Sequence, residues 1–299
     1  MTPAYLRGLF AALAAFVAWG LVPIYWRQIR EVPAFEILAH RAIWSLFLVA
    51  LLLTWYRQWS EVVQTGRSLA ITALRGVLVS ANWCLFIWAV NAGYIVETSM
   101  GYFITPLLNL VFGMLVFSEK LRPLSWLAVV LAVIGVLVAT TEAHRGFPWI
   151  AISIALTFAS YGTLKKLSPI RPMPGLFLET ALMTPFAIAY LLLKPDAVSL
   201  LPVFSHTPLY LIGGGIVTAL PLLWFAQAAQ TLRLTTMSFI NFLAPSLSFL
   251  VGVFVYHESF STTRLVAFVF IWAGVIVFTL DAIFTSRQPR DVQPTPVVE

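Results

Sequence analysis

Residues 101–120 read GYFITPLLNLVFGMLVFSEK, and residues 240–259 read INFLAPSLSFLVGVFVYHES. Laid over each other at a shift of 139, without a gap, they place Pro106 on Pro245, Gly113 on Gly252 and Glu119 on Glu258. Extended outward, the same register brings Gly135 onto Gly274 and makes 14 of the 57 positions from 82 to 138 identical. Two apolar segments share Leu and Val by chance. A proline, two glycines and a glutamate in one register point instead to an internal duplication.

The chain around this repeat has 299 residues, 60% hydrophobic and 10% charged, with a mean hydropathy of +0.91. Soluble domains carry about 25% charged residues, and a folded soluble chain needs a polar exterior that this composition does not supply. Lipid is the solvent that fits it, which excludes a soluble enzyme, a disulfide scaffold and a disordered chain. The net charge of +6 reads as loop charge that orients a membrane protein, with no nucleic-acid partner. Cys84 is a lone cysteine inside an apolar run and reads as an inert packed thiol,. The four histidines show no metal-ligand spacing.

A bilayer core takes about 20 apolar residues per helix. That ruler predicts ten spans, 8–26, 36–56, 70–90, 95–117, 124–140, 147–164, 176–193, 208–230, 235–255 and 265–284. The first reads as a retained helix and not as a signal peptide, because Gly20-Leu21-Val22-Pro23 is no small-x-small cleavage site,. Twelve Lys and Arg fall on one side and five on the other, with Arg41 inside a span. The positive-inside rule then puts both termini in the cytoplasm. The polar residues 285–299, with three prolines, read as a disordered cytoplasmic tail,.

The fold class predicted is therefore an all-α membrane protein of ten transmembrane helices in two five-helix repeats, 1–143 and 144–284. Five crossings per half turn the second half over, so the repeats are inverted. Inverted repeats are a transporter architecture, with the substrate near the midplane where the halves meet. Exchanging the conformations of the two halves converts a cavity facing one side into a cavity facing the other.

Two five-helix halves, each with a Pro-bearing fourth helix ending in Glu, resemble the EamA type of the drug/metabolite transporter superfamily. EILAHRAIWS, NWCLFIWAVN, GYFITPLLN, FLET and FIWAGVIVFTLDAIFT are similar to its RarD branch, known as chloramphenicol-sensitivity permeases, from about residue 8 to 286. The resemblance implies a bacterial inner-membrane permease with ten helices around a central cavity, and it assigns no substrate. Ser118 and His257 stand before the two glutamates where many members carry Gly, so the turn is made differently here.

Pro106 and Pro245 lie midway along their spans and cannot donate to the carbonyls of Tyr102 and Asn241,. A freed carbonyl in hydrocarbon must face protein or a wet cavity. The functional reading is a kinked pair of helices lining a substrate cavity with Tyr102 and Asn241; the plain reading is two packing kinks. Trp19-Gly20 and Tyr161-Gly162 read as counterparts, each a flat ring beside a small residue, and Asn82 is a deep polar residue. Together these give the substrate-binding set Tyr102, Asn241, Trp19, Asn82 and Tyr161. His40, Arg41 and Glu179 are ionisable residues within spans, and such residues face a cavity or a partner. Because His40 falls on Glu179 under the 139-residue shift, they read as gating or coupling groups at opposite mouths and not as a salt bridge between Arg41 and Glu179. Snorkelling to headgroups is the plain alternative for Arg41. Glu119 and Glu258 read as turn residues that satisfy free helix amides. Trp26, Trp55, Trp59, Trp126 and Trp149 fit interfacial belts.

No zincin, nucleophile-elbow, P-loop or dinucleotide motif is present,, so the chain is predicted to be no enzyme and to need no cofactor or metal. The leading reading is a secondary carrier for a small organic metabolite or drug, coupled to protons or to the solute's own gradient. A non-transporting membrane sensor or partner and an intramembrane enzyme are the competing classes. The sequence leaves the solute, the direction and the oligomeric state undefined.

Overall fold

Apolar runs of this length become helices because every backbone amide must be satisfied inside the segment. The computed structural model describes residues 3–92, 94–141, 149–168, 170–194, 206–257 and 261–287, and among them it contains helices and no strand. The helices are α1 (Pro3–Trp26), α2 (Ala34–Trp55), α3 (Gly66–Asn91), α4 (Ile95–Phe117), α5 (Pro123–Thr140), α6 (Trp149–Leu167), α7 (Pro172–Leu193), α8 (His206–Thr231), α9 (Leu234–Asn241), α10 (Leu243–Leu250) and α11 (Thr262–Arg287). A π-turn over Val251–Val255 follows α10. The boundary near 143 and residues 288–299 of the expected tail lie outside the described residues, as does Glu258; the helix α11 carries the chain on to Arg287.

Among the described residues eight helices are long and apolar enough to cross a membrane, with α9, α10 and the π-turn counting as one, and Gly101–Phe117 adds a shorter apolar helix. The sixth expected span, α6, is not among them. Its polar residues Tyr161, Thr163 and Lys165 are turned inward and buried, so a hydropathy ruler that assumes lipid contact on all sides undervalues it. The outer surface is apolar to an extent water would not tolerate, with Leu193 82% and Phe186 76% exposed. Cys84 is on that surface; the expectation of a packed thiol is corrected, because its apolar sequence neighbourhood reports lipid and not core.

The helices pair in a regular scheme. α1 packs on α8 and α10, and α6 packs on α3 and α4; α2 packs on α8, and α7 on α3. The pairs α2·α7, α4·α9 and α5·α11 join elements 139 residues apart in register. Replacing each helix by its counterpart turns this set of pairs into itself. One pair breaks the rule: α6 packs on α8, and the counterparts α1 and α3 make no comparable contact.

Without a hydrophobic driving force between helices in lipid, close approach supplies the attraction. At α5·α11 a Cβ added to Gly135 would meet Ile271 Cγ1 at 2.6 Å and the Ala267 carbonyl at 2.7 Å, and one added to Gly274 would meet the Ala128 carbonyl at 2.7 Å. The two glycines that the repeat superposes thus seat the two helices on each other. The turns that close the fourth helix of each half are also matched, because Ser118 and His257 both adopt left-handed backbone, with φ of 51° and 54°. The Glu119 amide turns back to the Gly113 carbonyl at 3.0 Å.

Two stability effects follow. Gly135→Val forces backbone apart and should cost about 1–3 kcal/mol, seen as a lowered thermal midpoint in detergent, whereas Leu137→Ala on the exposed face should change little. Ser118→Gly removes a left-handed side chain and should stabilise by about 1 kcal/mol, seen as a raised midpoint; no change or a fall would contradict the turn's role.

Candidate functional site

The two midplane prolines are handled differently. α4 runs unbroken through Pro106. At Pro245 the helix is interrupted at Phe242, with α9 ending at Asn241 and α10 starting at Leu243. There Ser246 Oγ donates to the Phe242 carbonyl at 2.7 Å and receives the Trp272 indole N–H at 2.9 Å, so the break is stitched by side chains. The expected pair of kinked helices is therefore one break and one continuous helix. Tyr102 is 39% exposed and lies beside the Phe86 ring, centroids 5.7 Å apart, whereas Asn241 is buried. No hydrogen bond joins these two residues.

Trp19 and Tyr161 are brought into one aromatic collar with Phe16, Phe158 and Phe225. Trp19 meets Phe158 edge-on at 5.8 Å and Phe225 at 5.5 Å, and Tyr161 stacks on Phe225 at 6.1 Å. The residue 139 positions after Trp19 is Phe158. The in-register partner of Trp19 is thus Phe158, and the expected pairing with Tyr161 is corrected by three residues. A Cβ on Gly162 would stand 3.2 Å from the Phe225 ring.

Beneath the collar, Glu179 on α7 takes two cations. Arg75 Nε lies 3.0 Å and Lys165 Nζ 2.9 Å from Glu179 Oε1, while the Tyr161 hydroxyl donates to Oε2 at 2.9 Å. Arg75, Lys165 and Glu179 are each 1% exposed at the side chain. Lys165 and Arg75 are therefore core residues. A glutamate two turns into a span needs a counter-ion at the same depth, and that was the available signal for both. A Cβ on Gly175 would sit 3.0 Å from Arg75 Nη2, so the start of α7 is cut back to admit the guanidinium.

Arg41, on α2, has other partners. Its Nε donates to Thr218 Oγ1 on α8 at 2.9 Å, and its Cζ lies 4.8 Å from the Trp83 ring and 5.1 Å from the Trp26 ring. The Tyr102 phenol is within electrostatic reach. Among the described residues no carboxylate pairs with it. Burying an ion costs several kcal/mol, and a ring face returns about 0.5–2 kcal/mol, so the guanidinium is under-compensated. Trp26 was expected in an interfacial belt; it packs over Arg41 because Gly214 leaves room, a Cβ there standing 3.2 Å from the Trp26 ring. The run Gly213-Gly214-Gly215 receives Tyr25, Trp26 and Trp44 in turn, a glycine run the sequence reading passed over. His40 is 3% exposed, and its Nε2, like Trp44 Nε1 and Asn109 Oδ1, is buried without a hydrogen-bond partner.

Asn82 has its amide nitrogen engaged by the Ile154 carbonyl at 2.8 Å and Thr157 Oγ1 at 2.9 Å, so it docks α3 on α6. Glu119 satisfies helix amides, though of a different helix from the adjacent one. Its carboxylate accepts from the Leu234 and Thr235 amides at 2.9 and 3.0 Å, capping α9 in the other half. Among the described residues no group of three His, Cys, Asp or Glu is placed to hold a metal.

Glu179→Ala strands two buried cations and should cost about 3–5 kcal/mol, visible as a large fall in thermal midpoint and in folded yield. Lys165→Met keeps the Arg75–Glu179 pair and should cost less. Equal midpoints for Glu179→Ala and the unmodified protein would contradict the network.

A family model described as the EamA-like transporter family matches residues 6–141. Over 292 residues the chain is 42% identical to "Protein RarD" of Escherichia coli (strain K12), covering 94% of this chain and 97% of the relative. It is 37% identical over 290 residues to "Uncharacterized transporter YojE" of Bacillus subtilis (strain 168), covering 95% of this chain and 97% of the relative. A crystal structure of a protein 17% identical superposes with a TM-score of 0.74 over 92% of this chain and 98% of that one, a likeness that concerns the fold alone. With a helix set fit to cross a membrane and relatives matched from end to end, the chain belongs to the EamA-like transporter family and is a RarD-like permease.

Proposed function

We propose that this multi-pass membrane transporter is a secondary carrier that moves a small organic solute across the bacterial inner membrane by alternating access. Ten spans form two inverted halves, 1–143 and 144–284, with both termini and the tail 285–299 in the cytoplasm. The observation that carries this reading is the helix pairing, which maps onto itself under exchange of the halves except at α6·α8. A two-fold molecule with one unmatched contact is closed on one side and open on the other. Trading the α6·α8 contact for α1·α3 gives the opposite state with the same helices.

The aromatic collar around Trp19 and Tyr161 is the barrier between the two mouths. The Glu179 cluster closes one mouth and the Arg41 group, with His40 next to it in sequence, lies at the other. Tyr102 faces the Arg41 mouth, Asn241 supplies the helix break, and Asn82 holds α3 to α6 at the rim of the path.

The topology is tested in a Cys84→Ser background. Thr141→Cys should react with an impermeant thiol reagent from outside and Ser60→Cys should not; the reverse pattern overturns the orientation. Transport is tested in proteoliposomes with labelled amino acids and drugs, with and without a pH gradient. Saturable uptake that Tyr102→Phe and Asn241→Ala reduce, with membrane insertion intact, is the expected result. Unmodified rates in both variants would place the path elsewhere.

A further inference from the structure

We propose that Arg41 is the anchor for the charged group of the carried solute, and that the solute is an organic monocarboxylate with an aromatic or bulky apolar body. This deepens the carrier reading and rests on it. The Nε–H of Arg41 is fixed by Thr218 at 2.9 Å, which sets the plane of the guanidinium. Its two terminal nitrogens make no hydrogen bond with the described residues. They form the flat fork that matches a carboxylate's two oxygens.

Among the described residues no carboxylate pairs with Arg41, and Glu36, a turn before on the same helix, pairs with Lys194. Around the fork stand Trp26, Trp83 and Tyr102, and neither they nor Arg41 are fully buried, so the group is not sealed in core. One turn along the same face of α2, the Trp44 indole Nε1 is a buried donor without an acceptor,. A bound anion would satisfy both this donor class and the guanidinium charge.

The whole interior favours an anion. Among the described residues Arg41 on one side of the collar and Arg75 with Lys165 on the other make three cations against the carboxylate of Glu179, the buried Glu36 being matched by Lys194. A cationic solute meets like charge at both mouths, and a neutral one leaves the Arg41 fork unfilled. Snorkelling to headgroups does not describe this side chain, which turns across to α8 and is held between two indoles.

The test uses calorimetric titration of the purified full-length protein in detergent with 3-phenylpropionate, 3-phenylpropionamide and 2-phenylethylamine. The acid should bind saturably and at least about tenfold more tightly than the isosteric amide, the factor expected when a charge-assisted hydrogen bond is lost, and the amine should bind least. Arg41→Gln should remove the preference for acid over amide, and Arg41→Lys should restore part of it. The acid-to-amide comparison on the unmodified protein stands even if a variant fails to fold. Equal binding of acid and amide, a preference that survives Arg41→Gln, or no saturable binding of the acid overturns the proposal. Counterflow in proteoliposomes separates the two readings. Arg41-dependent acid binding without counterflow upholds the anion site and defeats the carrier reading. Counterflow of neutral or cationic solutes that Arg41→Gln leaves intact upholds the carrier and defeats the anion site.

Discussion

Hydrocarbon offers no water to an amide, a hydroxyl or an ion, and the arrangement of this protein follows from that deprivation. Most polar groups at depth have a protein partner, with His40 Nε2, Trp44 Nε1 and Asn109 Oδ1 as exceptions among the described residues. The amide of Asn82 is spent on α6, the Ser246 hydroxyl mends a broken helix, and a carboxylate is shared by two cations and a phenol. The same solvent withholds the hydrophobic push that drives helices together in water, so attraction comes from contact at short range. That is why Gly135 and Gly274 stand where α5 and α11 meet backbone to backbone.

Much of this was written in the chain. The helices are local, and local chemistry reports them; proline alone does not decide a break, since α4 runs unbroken through Pro106 whereas the helix at Pro245 is interrupted. The repeat register reached further, because a shift of 139 residues pairs helices that touch in space and pairs Trp19 with the Phe158 it touches. Other parts were hidden for physical reasons. The burial of Arg75 and Lys165 depends on a carboxylate 104 and 14 residues away, which no window along the sequence can see. Trp26 left the interfacial belt for the room that Gly214 provides on a helix nearly two hundred residues on.

The two mouths of the proposed carrier fall in register under the 139-residue shift and differ in chemistry. Where one has Glu179, Arg75 and Lys165, the in-register positions of the other hold His40, Gly214 and Trp26. One end holds an ionic cluster and the other a cation framed by indoles. An inverted pair with identical ends would have no reason to rest in one state. In the proposed cycle, unlike ends would give the two states different energies, and the difference would set which way the empty molecule rests.

The cap made by Glu119 binds the last turn of α4 to the first amides of α9, one half to the other, through two short hydrogen bonds to ionised oxygen. Lys166 and Arg233 lie at 4.0 and 3.8 Å from the same carboxylate. Pulling these ends apart would leave an anion and two amides bare at once, so the cap holds them together. In the proposed transport cycle this joint would serve as a fulcrum for the longer helices, giving a larger amplitude at the far mouth than any displacement at the joint itself.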